Sequence, residues 1–230
     1  MTEKPLAVVT GATGGMGRAI VADLAADHRV VAVGRNADAL AELASIESVE
    51  AAAIDLTDDD ARAEFAAGVA GPVSVLIHAA AIGEALSVEE ATPAHWRASF
   101  ETNVLAPADL SRLLLPGIRE SRGTIIFIGS GASTRPAPGH AVYVASKHAL
   151  KGLADSLRLD EAKHRVRVVT AAPGQTATGM LQDTHAQRGL PWEPERYIQP
   201  ASIARSIRFI VDASDDVQLT DIAIRPRVEL

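Results

Sequence analysis

The chain has 230 residues, of which 47% are hydrophobic and 22% are charged, the composition of one ordinary globular domain. A net charge of -7 and a pI near 5.5 argue against a nucleic-acid groove or an anionic membrane surface, which need clustered Lys and Arg, and favour a small-molecule partner. The lack of cysteine excludes disulfides and thiolate metal sites, and the histidines show no metal-ligand spacing, so no metal is predicted.

The amino-terminal sequence MTEKPLAVVT leads directly into a strand-like run. It lacks the long apolar segment and small-residue cleavage site of a signal peptide, and no run of about 18 apolar residues follows elsewhere. The expected location is therefore the cytoplasm, with no membrane contact.

Short runs of Val, Ile and Ala alternate with longer amphipathic stretches along the whole chain. This alternation predicts an α/β fold: a single doubly wound Rossmann-type domain over residues 1–230, with a seven-stranded, mainly parallel sheet flanked by helices on both faces. The predicted strands span residues 6–10, 30–34, 49–54, 73–78, 124–129, 166–171 and 222–225. The predicted helices span residues 15–26, 37–45, 58–68, 93–120, 140–163 and 201–213.

Residues 174–199 form one long segment without predicted regular structure. A connection of this length is unusual inside a compact domain, so we predict a lid or substrate-binding loop. Met180, Leu181 and Trp192 fit either a cover over a substrate or anchors that hold the loop to the body. His140, near the expected substrate mouth, is predicted to be a surface residue.

The sequence TGATGGMG follows the first predicted strand and precedes the first predicted helix. Gly11, Gly15 and Gly17 allow a tight turn, a close approach of backbone N–H groups to a pyrophosphate, and packing of the helix on the strand. The positive end of the helix then faces the phosphates. A flexible turn without a ligand is the alternative interpretation.

The second predicted strand ends in VAVGRN, where an acidic residue would bind the ribose 2'-hydroxyl of NAD. Arg35 stands there instead and is able to pair with a 2'-phosphate, which favours NADP(H) and leaves NAD(H) possible. A solvated Arg at a strand end is the alternative. Asp55, after the third strand, either accepts a hydrogen bond from the adenine amino group or partners the next helix.

Tyr143 and Lys147, in the sequence YVASK, stand four residues apart on a predicted helix, which places them on one face. An adjacent ammonium stabilises a phenolate, so Lys147 is predicted to lower the tyrosine pKa by about 2 to 3 units and make it a usable acid and base. Ser130 follows the fifth strand at the edge where α/β sheets bind ligands, and its hydroxyl suits a substrate carbonyl. Ser133 competes for this role. A tyrosine packed at an interface is the alternative for Tyr143.

These motifs, together with APG at residues 172–174, resemble the short-chain dehydrogenase/reductase superfamily, the compact NAD(P)-dependent branch of the Rossmann folds. The resemblance implies that Asn103 joins the catalytic group through a proton-relay water, and that Lys147 also binds the nicotinamide ribose. A helix-kink role is the alternative for Asn103. The resemblance also extends the predicted cofactor site to Thr13, Met16, Leu56, Ala80, Pro173, Thr176 and Thr178, beside Tyr143 and Lys147.

One segment departs from the superfamily pattern. Residues 78–81 read HAAA where relatives usually have NNAG, so the Asn that braces the strand and the final Gly are missing. Ala80 keeps a small residue beside the cofactor, but the stabilising role of the segment is in doubt.

The expected function is hydride transfer between NADP(H) and a carbonyl or secondary alcohol of a small molecule, with Tyr143 as acid and base. A dinucleotide-sensing regulator that keeps the fold without turnover is the alternative. The resemblance further implies a homodimer or homotetramer. No residue pattern identifies the substrate.

Overall fold

Within residues 4–228, the part of the chain that the computed structural model describes, seven strands alternate with eight α-helices. The strands are β1 Leu6–Thr10, β2 Arg29–Gly34, β3 Val49–Ala53, β4 Val73–His78, β5 Thr124–Ile128, β6 Arg167–Pro173 and β7 Asp221–Ile224. The helices are α1 Gly15–Leu24, α2 Ala37–Ala44, α3 Asp59–Gly68, α4 Pro93–Phe100, α5 Ala106–Ser121, α6 Ala141–Glu161, α7 Gly179–Gln187 and α8 Pro200–Val211. All seven predicted strands are present, with small shifts at their ends.

The strands form one sheet in the order β3-β2-β1-β4-β5-β6-β7, and every ladder is parallel. The predicted doubly wound, Rossmann-type fold is confirmed. Strand order reverses between β1 and β4, and such a reversal opens a crevice at the carboxyl ends of the strands. That crevice is where the sequence places the glycine turn.

Two apolar layers hold the helices on the sheet. On one face, α1 and α8 bury Ile20, Leu24, Ile203 and Ile207 against β1 and its neighbours; on the other, α5 and α6 bury side chains such as Leu114. Each fully buried aliphatic side chain contributes about 1.5 to 3 kcal/mol relative to an exposed one. The central strands are apolar on both sides because both of their faces are covered.

The predicted helix over residues 93–120 is wrong in its middle. α4 ends at Phe100, a π-helical turn spans Glu101–Leu105, and α5 begins at Ala106, whose N–H bonds to the Glu101 carbonyl five residues earlier. Pro107 has no N–H to donate to the Asn103 carbonyl, so the α-helical pattern does not pass through this point. The wider turn directs Asn103 into the interior, where it is fully buried.

The predicted irregular segment 174–199 contains α7 and a short 3-10 turn, Pro194–Arg196. The helix was missed because only His185 of its residues is buried, so its sequence GMLQDTHAQ carries no apolar period. None of the helices in the part of the chain described has both the length and the apolar composition that a membrane span requires.

Candidate active site

Close backbone contacts shape the glycine turn between β1 and α1. Gly11 has φ +64°, and a Cβ there would lie 2.5 Å from the Ala80 nitrogen; a Cβ at Gly17 would lie 2.1 Å from the Gly11 carbonyl oxygen. Larger residues would force the turn apart. The Gly14 N–H donates to the Gly11 carbonyl at 3.0 Å, and α1 begins one residue later. Its first N–H groups have no partner within the helix and are suited to an anion.

A cleft of about 550 Å³ lies above this turn, at the carboxyl ends of β1 to β4 and beside the start of α7. We call it the glycine cleft. It gathers most of the residues predicted to bind a cofactor, namely Gly11, Thr13, Gly15, Met16, Gly17, Arg35, Asp55, Leu56, Ala80 and Thr178. Its size and open form suit an extended dinucleotide.

The far end of the glycine cleft carries Arg35 and Asp55. Arg35 is exposed and forms no ion pair with any residue in 4–228, although its charge contributes to lowering the pKa of Asp55. The larger cause of that lowered pKa is hydrogen bonding: Asp55 Oδ1 accepts from the Thr57 N–H at 2.9 Å and from its hydroxyl at 2.8 Å. The alternative role of Asp55 as a partner of the next helix is wrong, because Asp58 caps α3.

A second cavity of about 370 Å³ adjoins the glycine cleft, and we call it the tyrosine cavity. Ser130, Tyr143, Pro173 and Thr176 line this cavity instead of the glycine cleft. Three residues line both spaces, and they mark the passage between them: Met16, Thr178 and Met180. A Cβ at Gly15 would lie 3.1 Å from Thr178, so the glycine turn meets the beginning of α7 at this passage.

Ser130 and Tyr143 both line the tyrosine cavity. The Ser130 hydroxyl favours the phenolate form of Tyr143 and so acts to lower its pKa. The Ser130 hydroxyl also accepts from the Ala132 N–H at 3.1 Å, which fixes its position in the turn after β5. Ser133 is buried behind it and accepts from the Ser130 N–H at 3.1 Å, so Ser133 supports the turn and Ser130 meets the cavity.

Tyr143 and Lys147 share one face of α6, and the lysine Nζ lies 5.8 Å from the centre of the tyrosine ring. The predicted lowering of the tyrosine pKa is wrong in direction: burial raises the pKa of Tyr143 above its ordinary value, and the Ser130 hydrogen bond only partly opposes this. Lys147 is almost fully buried and donates to the Ile128 carbonyl at 2.9 Å. Burial lowers the pKa of Lys147 to about 8.

The segment after β4 is held by residues other than the usual Asn. The Asn103 side chain accepts from the Ile82 N–H and donates to the Ile82 carbonyl, both at 2.9 Å, and also donates to Ser146 at 3.0 Å. The Thr10 hydroxyl lies 3.4 Å from both the Ile77 carbonyl and the Ala80 N–H. Thr10 of β1 therefore braces the HAAA segment at Ala80, and the π-helical turn holds Ile82 directly after it.

His78 itself is buried in the core at the end of β4. Its ring stacks on Phe127 with a centroid distance of 4.9 Å, and Nε2 lies 2.9 Å from the Ser111 hydroxyl. Burial lowers the pKa of His78 to about 3, so the imidazole is neutral in the folded protein. It fills the core as an aromatic residue and takes no part in lining either cavity.

Met180, Leu181 and Trp192 of the segment 174–199 were predicted either to cover a substrate or to anchor the loop, and the structure divides them between these two roles. Met180 and Leu181 line the tyrosine cavity. Trp192 instead stacks on Tyr197 at 5.3 Å and meets the edge of His185 at 5.8 Å, so it anchors the segment. His140 was expected at the surface, but it is half-buried in the wall of the tyrosine cavity.

The sequence pattern of the family described as short chain dehydrogenase matches residues 5–189. The chain belongs to the short-chain dehydrogenase family. An uncharacterized oxidoreductase of Mycobacterium tuberculosis is 36% identical over 98% of this chain and 92% of its own length, and the L-xylulose reductase of Bos taurus is 36% identical over 76% and 73%. The structure of a metagenomic short-chain oxidoreductase in complex with NADP is 31% identical and superposes with a TM-score of 0.84, covering 98% of this chain and 99% of that one.

This short-chain dehydrogenase is therefore an oxidoreductase that acts on CH–OH or C=O groups, and the expectation of an enzyme is confirmed. NAD(P) use follows from the same relatives and neighbours. The regulator without turnover, the alternative drawn from the sequence, receives no support from them.

Sequence reasoning missed several residues that line the tyrosine cavity of this short-chain dehydrogenase. Gly83 packs so closely on the Tyr143 ring that a Cβ there would lie 3.0 Å from Cδ2 and Cε2. His185 and Arg188 also line the cavity, and both belong to α7 or its end. Isolated glycines and a helix without apolar period carry no signal that singles them out in a sequence.

Proposed function

We propose that this enzyme is an NADP(H)-dependent reductase of small-molecule carbonyl compounds, with Tyr143 as the proton donor. The observation that carries the proposal is the position of Tyr143: it lines, together with Ser130, a cavity that shares Met16, Thr178 and Met180 with the glycine cleft. A dinucleotide in that cleft would have its reactive end at the passage marked by Met16 and Thr178, next to the phenol.

The residues of the glycine cleft fit a dinucleotide. Gly11 and Gly17 leave no room for side chains, the start of α1 offers unpaired N–H groups to a pyrophosphate, and Arg35 offers a guanidinium to a 2'-phosphate. Asp55 has its Oδ1 engaged by Thr57, which leaves its other oxygen to accept from an adenine amino group. A bound nicotinamide supplies the hydride for reduction and accepts it in the reverse direction.

The ionisation of the two central groups suits reduction. Because burial raises the pKa of Tyr143, its phenol keeps the proton at neutral pH, which is the form that protonates a carbonyl oxygen. The Ser130 hydroxyl is placed to turn from the phenol to the substrate oxygen and stabilise charge that develops there. Lys147 is charged below its pKa of about 8 and so stabilises the phenolate that remains after proton transfer.

Asn103 is proposed to support the return of the proton from solvent. Its side-chain amide is already bonded to Ile82, Ser99 and Ser146. The main-chain carbonyl of Asn103, by contrast, receives no helical hydrogen bond from Pro107, because proline has no N–H. We therefore assign the relay role to the main-chain carbonyl, and the side chain keeps the π-helical turn in place.

Turnover tests the proposal directly. The enzyme should oxidise NADPH in the presence of members of a panel of aldehydes, ketones and ketoses. Tyr143→Phe should lower kcat by about 10²- to 10⁴-fold and leave NADPH affinity unchanged, because the ring still packs on Gly83. Full activity in the phenylalanine variant would overturn the assignment.

A separate measurement tests the preference for NADP(H). Arg35→Ala should weaken NADPH binding by about 10- to 100-fold and leave NADH binding unchanged, because one charge-assisted contact to the 2'-phosphate is lost. Arg205→Ala, at an exposed position on α8, is the matched control. Equal losses for both nucleotides, or none, would contradict the preference.

We also propose a homodimer or homotetramer, which is supported by the family and by the large exposed side chains Leu159 on α6 and Phe209 on α8. Light scattering of the purified enzyme measures the mass, and a monomer at micromolar concentration would refute this. The cytoplasm remains the predicted compartment.

A further inference from the structure

The charge of the tyrosine cavity is carried by one side chain. The described residues that line the cavity include no Asp or Glu. Arg188 is the one lining residue whose side chain stays charged at any ordinary pH. His185 has both ring nitrogens engaged, Nδ1 with the Pro191 carbonyl at 2.9 Å and Nε2 with the Tyr197 hydroxyl at 3.3 Å. His140 is close to neutral at pH 7, because burial and then the Arg188 charge lower its pKa. The cavity is therefore electropositive at one point.

Arg188 is held at the mouth of the cavity by the end of α7. Its backbone N–H bonds to the carbonyls of the last turn, and Gly189 follows with φ +64°, which turns the chain away. The guanidinium Nη1 lies 3.4 Å from His140 Nε2. No carboxylate between residues 4 and 228 comes within ion-pair distance of it, so its charge is available to a ligand in the cavity.

We propose that the carbonyl substrate carries an anionic group, a carboxylate or a phosphate, which Arg188 binds at the mouth of the cavity with His140 beside it. The inference rests on the proposed reductase function and names the substrate class of the same site. A guanidinium binds either anion through two parallel N–H donors. The cavity is also lined by small and apolar residues, among them Gly83, Leu181 and Leu190, which suit the uncharged body of such a substrate.

Matched substrate pairs test this inference. NADPH-dependent reduction is measured for levulinate against its methyl ester and for dihydroxyacetone phosphate against dihydroxyacetone. The wild type should prefer one of the two anions over its neutral partner, and this preference identifies carboxylate or phosphate. Arg188→Met should lower kcat/KM for the preferred anion by about 10- to 100-fold and leave its neutral partner unchanged, with Arg188→Lys intermediate. Arg205→Met, exposed on α8, is the charge-matched control and should change neither value.

A binding readout separates this inference from the proposed function. The melting temperature of the NADP-loaded protein should rise with levulinate or dihydroxyacetone phosphate in the wild type and in Arg205→Met, and should not rise in Arg188→Met. Turnover of neutral and anionic partners at equal kcat/KM, together with melting shifts that do not depend on Arg188, would overturn the anion site and leave the reductase intact. No turnover of any carbonyl compound, with Arg188-dependent melting shifts retained, would overturn the reductase function and keep the anion site.

Discussion

The buried imidazole of His78 gives this protein an acid sensitivity whose size follows from the structure. The folded-state pKa is about 3 and the ordinary value is 6.5, because the ring is enclosed by Phe127 and by Ser111 of α5. A proton therefore binds the unfolded chain first as the pH falls, so stability is full above pH 6.5 and is lost progressively down to about pH 3. Each pH unit in the middle of this window removes about 1.4 kcal/mol, so the loss is about 2 kcal/mol at pH 5 and about 4 kcal/mol at pH 3, where the folded imidazole is half protonated.

The measurement is the free energy of unfolding in urea, followed by circular dichroism from pH 7.5 to pH 4.5, for the wild type and His78→Asn. Carboxylates contribute equally to both proteins, so the difference between the two curves isolates the imidazole. The wild-type curve should fall more steeply, by about 1.4 kcal/mol per pH unit below pH 6. Ser111→Ala removes the hydroxyl partner and should shift the whole curve down by about 1 to 3 kcal/mol with the same steepness. Parallel curves for the wild type and His78→Asn would refute the reasoning.

Three further predictions concern the tyrosine cavity. Log kcat/KM for reduction should fall above about pH 8, because Lys147 loses its proton there. Lys147→Arg keeps the charge and should remove this fall from the pH profile. A wild-type profile that stays flat to pH 9.5 would contradict the requirement for a charged Lys147. Gly83→Ala should lower kcat about tenfold without changing NADPH affinity, because the added Cβ would lie 3.0 Å from the Tyr143 ring. Gly68→Ala is the control: an added Cβ there meets nothing within 4 Å, so kcat and KM should not change. Ser130→Ala should lower kcat by about 10²- to 10³-fold, and stopped-flow transients showing unchanged chemistry would exclude its role at the oxygen.

The fold was predictable because its signals are local and repeated. The apolar runs of β1, β4, β5 and β6 are buried on both faces, and the order of strands and amphipathic helices then specifies a parallel sheet. The glycine turn was predictable for a related reason, since Gly11 meets the Ala80 nitrogen so closely that no other residue fits.

Quantities that depend on surroundings were not predictable from spacing. The four-residue interval correctly places Tyr143 and Lys147 on one face of α6, yet the direction of the tyrosine pKa is set by burial, which the interval does not encode. The way in which the HAAA segment is held in place was also not predictable from the sequence. In place of the missing Asn, Thr10 contacts Ala80 and Asn103 bonds to Ile82, directly after the segment; both residues are distant in sequence and reach these positions only in the folded chain.

The division between α6 and α7 explains why chemistry is easier to infer here than substrate. Six residues of α6 and six of α5 are buried. Core packing therefore holds the functional side chains of these helices in place, and helical geometry sets the spacing between them. α7 buries only His185 and is attached through the ring cluster of His185, Trp192 and Tyr197. An element with so little buried surface tolerates substitution and opens at low cost in free energy. Arg188, the residue proposed to select the substrate, follows such an element, and its place in the wall of the tyrosine cavity is visible only in the folded structure.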